Sequence, residues 1–66
     1  MSHDFDHIAK RLWFLDHEAA RLVAGLTQKD RHNVEQCLRA LYGVSLDLTG
    51  SEADIKAAIA KVRRSV

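Results

Sequence analysis

The chain has 66 residues, 47% hydrophobic and 29% charged, and ten Lys+Arg against nine Asp+Glu leave a formal net charge of +1. This length supports one domain at most, and hydrophobicity this high with so little net charge excludes the disordered class. Cys37 is the only cysteine, which excludes an internal disulfide framework, and no apolar run nears the roughly 20 residues that span a bilayer.

The first part of the chain carries the clearest pattern. Phe5, Ile8, Leu12, Leu15, Ala19, Leu22 and Leu26 recur at alternating spacings of three and four, one seam of an α-helix close to a heptad stripe. The spacing predicts a single long helix over about 4–25, capped by Ser2 or Asp4, with Asp4 and Asp6 at the positive end of its dipole. Gly25 loosens its end. Leu15 lies on the seam and reads as core, so Leu15→Asp is expected to unfold the protein.

Thr27-Gln28-Lys29-Asp30 has the form of a capping box with Asp in place of Glu, and Val34, Cys37, Leu38 and Leu41 follow as an apolar stripe. A second helix is expected over about 28–42, ended by Gly43 in a left-handed cap, with Glu35 and Arg39 paired on its outer face. The short link makes it an antiparallel hairpin with the first helix. Val44-Ser45-Leu46-Asp47-Leu48 alternates at period two without a second strand to pair with, so it reads as an extended connector laid across the hairpin. Ser51-Glu52-Ala53-Asp54 resembles another capping box, opening a third helix with a core stripe of Ile55, Ala58, Ile59 and Val62.

The fold class expected is therefore all-α, three short helices with an extended connector in one domain over residues 1–66. Two apolar residues of the first helix are left over. With Leu12 as reference, Trp13 lies about 100° around the helix and Phe14 about 200°. Phe14 has Lys10, Arg11, His17 and Glu18 as helical neighbours, all polar. A surface of Trp13 and Phe14, edged by Arg11 and His17, has the composition of a protein-binding hot spot. The long seam also suits pairing with a second copy, so a homodimer is expected, with Phe5, Ile8, Leu12, Leu15 and Leu22 at its interface.

Other chemistries find less support. His3 and His7 stand one helical turn apart, but two histidines fall short of a zinc ligand set, so no metal and no cofactor are expected. The glycines are isolated and each fits a boundary or turn, and three short helices offer little concavity for catalysis, so an enzyme is not expected. Leu41-Tyr42-Gly43-Val44-Ser45 before a capped helix is similar to the turn of a helix-turn-helix module, with Lys56, Lys61, Arg63 and Arg64 as its nucleic-acid contacts. Against it stand the long interval to Ser51, the acids Glu52 and Asp54 at the head of the reading helix, and the low net charge. The leading expectation is a cytoplasmic, non-catalytic protein-binding regulator or inhibitor, of the accessory kind that compact genomes such as those of phages encode. A DNA-binding transcription regulator is the alternative.

Overall fold

The computed structural model describes residues 5–65, and these form four helices and no strand: α1 (Phe5–Trp13), α2 (His17–Ala24), α3 (Gln28–Tyr42) and α4 (Glu52–Ser65). None is long and apolar enough to cross a membrane. The expected count of three is corrected because the long first helix is two helices, broken at Phe14-Leu15-Asp16. The expected antiparallel hairpin is corrected with it: α3 packs on α1, and their last residues Trp13 and Tyr42 stack, so the two helices end together, while α2 packs on α4.

Length supplies the reason for the break. An unbroken helix over residues 4–25 would run about 33 Å, whereas a partner of α3's size covers about 22 Å. Folding back after Trp13 lets α2 bury Ala19, Ala20 and Val23, each at most 2% exposed, instead of carrying them past the end of α3. The turn costs Leu15 a left-handed backbone, φ 59°, the only positive φ at a non-glycine among the described residues. The Leu15 N–H donates to the Leu12 carbonyl and the Asp16 N–H to the Arg11 carbonyl, both at 2.9 Å, so the last carbonyls of α1 are satisfied in a Schellman arrangement. Asp16 then caps α2 by accepting the Glu18 N–H at 2.9 Å.

The other boundaries follow their sequence signals. Thr27 caps α3 by accepting the Asp30 N–H, and Gly43 ends it in the left-handed region at φ 67°. Ser51 and Asp54 exchange bonds reciprocally at the head of α4, the Ser51 N–H donating to Asp54 Oδ2 and the Asp54 N–H to Ser51 Oγ. Gly50 is required there, since a β-carbon would stand 2.7 Å from the same Asp54 oxygen. Lys56 and Glu52 pair at 3.1 Å along the helix.

Between α3 and α4 the connector runs extended, with Val44 and Leu46 half-buried, Ser45 and Asp47 exposed and Leu48 fully buried. Two side chains of α3 hold it. Glu35, expected on the outer face with Arg39, instead accepts the Leu48 N–H at 3.0 Å. Arg31, 8% exposed, sends its guanidinium to four main-chain carbonyls: Leu26 and Ala24 at the end of α2, at 3.2 and 2.6 Å, and Leu48 and Gly50 of the connector, at 3.1 and 2.8 Å. Leu12, Val23, Val34, Leu38, Leu48, Ile55 and Ile59 close the core. Phe5, Ile8 and Cys37, half-buried, pack against it.

Leu15 is 37% exposed, which overturns its reading as a core position. A left-handed residue at the surface is where Asn and Asp are best tolerated. Leu15→Asn and Leu15→Asp are therefore expected to change stability by about 1 kcal/mol or less in urea unfolding, the strain relieved offsetting the burial lost. Leu12→Asp, one turn earlier and 2% exposed, is expected to leave no cooperative transition at all. Equal damage from Leu15→Asp and Leu12→Asp would restore the continuous helix.

Candidate functional site

The α1–α2 corner places apolar side chains in water on a fixed backbone. Phe14 is the last residue before the left-handed turn, and its ring is 61% exposed. Leu15 follows at the rim of an apolar groove of about 140 Å³ between the corner and α4, with Leu12, Ala20 and Ile59 at its floor and His17 and Lys56 at its edges. Leu22, one face further along α2, is 48% exposed.

A short ion pair braces the corner. Arg11 Nε donates to Asp16 Oδ2 at 2.7 Å, and Arg11 Nη2 lies 3.9 Å from Glu18. That bond, followed by the cap to Glu18, holds the Asp16 carboxyl below the usual carboxylate range, while the same bond raises Arg11. The charge of α1's last turn is thus tied to the first turn of α2 across the break.

The expected binding residues divide. Phe14 and His17 are exposed, but Arg11 is engaged by Asp16. Trp13 turns inward, stacked on Tyr42 with ring centroids 4.8 Å apart and planes 12° from parallel, and the Arg63 guanidinium lies 5.8 Å over its ring. Trp13 is thus a joint between α1, α3 and α4. Of the residues expected at a dimer interface, Leu12 is buried and Phe5 and Ile8 pack on the core, which leaves Leu15 and Leu22 at the surface. Lys61, Arg63 and Arg64 are exposed at the end of α4, while Lys56 is paired with Glu52. His3 lies outside the described residues; His7 is exposed, and no group of three or more metal-binding side chains occurs among the described residues.

Two functional features escaped the sequence. The corner had one signal, an Asp followed by His17-Glu18 in the middle of an apolar period, which is how an N-cap reads. Arg31 had none, because its partners are main-chain carbonyls.

The lowered pKa of Asp16 has a consequence in acid. Its folded-state value lies below the unfolded one, so its stabilisation is complete above the unfolded pKa, near pH 4, and is lost as pH falls through the folded value. Asp16→Asn keeps a capping side chain but loses the charge. At pH 7 its urea midpoint is expected below that of the unaltered protein, and the gap is expected to close by about pH 2. A gap constant across that range would show that the ion pair does not brace the corner.

Comparison of the chain with protein-family models, curated proteins and solved structures finds no match, so its function rests on the geometry of its own surface.

Proposed function

We propose that the chain is a non-catalytic protein-binding module, a regulator or inhibitor that docks its α1–α2 corner into an apolar pocket of a partner protein. The exposed Phe14 ring carries this reading. A ring carried on a backbone fixed by the Leu15 and Asp16 bonds brings little backbone-ordering cost to binding. The strain at Leu15 adds support, since left-handed non-glycine residues concentrate where a surface is used. The groove beside it, about 140 Å³ and lined chiefly by Leu12, Leu15, Ala20, Ile59 and Ala60, offers the ring's neighbours an apolar contact edge.

Pairing of two copies is one form of such binding. It would draw on Leu15 and Leu22, the two seam residues still exposed. Phe14→Asp tests the reading, since a side chain in open water can change without disturbing the core. Captured from a lysate of the natural host, the unaltered protein is expected to retain a stoichiometric protein, and to show twice its mass in light scattering where that protein is itself. Phe14→Asp should lose the partner with an unchanged circular dichroism spectrum. Retention of the same partner by Phe14→Asp would remove the corner as the site.

A further inference from the structure

A second surface adjoins the corner. The stack of Trp13 on Tyr42, with Arg63 above, brings together the last turns of α1, α3 and α4. Those turns carry Lys10, Arg39, Arg63 and Arg64, and Lys61 stands just before the last turn of α4, all five exposed. None of the five pairs with an acid among the described residues, whose ion pairs use Arg11, His32 and Lys56 instead. Asp6, Asp30, Glu52 and Asp54 sit in the first turns of the same three helices. The acids that adjoin this end are spent elsewhere: Asp16 and Glu18 on Arg11, Glu35 on the Leu48 N–H, and Asp47 on Thr49.

Cations at helix C-termini have an ordinary use, offsetting the dipole, and its size decides whether that use suffices. Each C-terminus is equivalent to about half a negative charge, so three together amount to about −1.5. Five cations exceed that by about 3.5 charges, and the excess sits on one end of a molecule whose formal net charge is only +1. The basic character is concentrated where the whole-chain sum conceals it.

We infer that this end binds the phosphate backbone of nucleic acid, without reading sequence. Three of the five cations are arginines, whose planar forks match phosphate oxygens in pairs. A bilayer would need an apolar face beside the charges, and the last turns of these three helices expose one large apolar side chain, Leu41 of α3, which is too little for insertion. The mode differs from a recognition helix in a groove: the acidic head of α4 points away, and the contacts come from three helix ends.

The probe is a fluorescein-labelled 20-base-pair duplex, titrated with the full chain by fluorescence anisotropy. Binding is expected at about 50 mM salt, with a slope of log K against log salt near −4.5 for five phosphate contacts, a loss of several hundred-fold by about 200 mM. Lys61→Glu with Arg64→Glu leaves the Arg63–Trp13 contact in place and is expected to weaken binding at least tenfold and to flatten the slope by about two. Lys29→Glu with Arg21→Glu, which makes the same change of four charges away from this end, is the matched control and is expected to retain at least half of the unaltered affinity. No binding at 100 µM protein in low salt would overturn the inference, as would equal losses from this control and from Lys61→Glu with Arg64→Glu. Equal affinity for polyglutamate would assign the surface to acidic proteins, and binding only to phosphatidylserine vesicles would assign it to membranes; either result defeats the nucleic-acid assignment. Phe14→Ala, which removes the ring without adding a charge beside Lys10, separates this outcome from that of the corner and is expected to bind the duplex as the unaltered protein does.

Discussion

The guanidinium of Arg31 is the point at which three segments far apart in sequence are tied together. It stands on the first turns of α3 and donates to the end of α2 on one side and to the connector on the other. No carboxylate takes part. Four carbonyl oxygens receive the charge, two of them at the negative end of α2, so the buried cation serves as that helix's C-terminal partner. Removing a guanidinium from water costs several kcal/mol, and each bond to a charged donor returns about 1.5–3, so the gain in stability is moderate. The larger effect is on position. With Leu48 and Gly50 held by Arg31, and the Leu48 N–H by Glu35, the connector has one register, Leu48 enters the core, and α4 starts where its isoleucines meet α1 and α2.

The rest of the surface follows from that placement. Because α4 is fixed against α2 and α1, its last turn arrives over Trp13, and the cations of three helices gather at one end. Because α2 must return to reach α4, the chain turns sharply at Leu15 and leaves Phe14 outside. The exposed ring and the unpaired cations are thus two results of one constraint, the need of a short chain to bury both of its early helices.

Much of the architecture was legible in the sequence, and what was legible was local. The caps at Thr27, Gly43 and Ser51 act within a few residues of themselves, so their chemistry predicts the bounds of α3 and the start of α4. The period-two run of 44–48 marks an extended segment with Leu48 inward in the same way. The continuous first helix failed because a heptad seam stays in phase across the Leu15 turn: Leu12 and Ala19 both reach the core, one from each side of the break. Trp13 and Phe14 are neighbours in sequence with opposite fates, since Tyr42 and Arg63, which cover the first, come from distant helices. Arg31 was invisible for a related reason: its partners are carbonyls, which every residue possesses.

The placement of α4 depends most on the connector being locked to α3, and the exchange rate of the Leu48 amide tests this most directly. Followed by NMR in deuterium oxide, that amide is predicted to exchange as slowly as those of Val34 and Leu38, through global unfolding only. In Arg31→Lys, whose single ammonium cannot span four carbonyls, it is predicted to exchange much faster while the α3 amides stay the slowest in the chain. A Leu48 amide that exchanges at the rate of exposed loop amides in the unaltered protein would contradict the account, because the connector would then lie on the core without being held there.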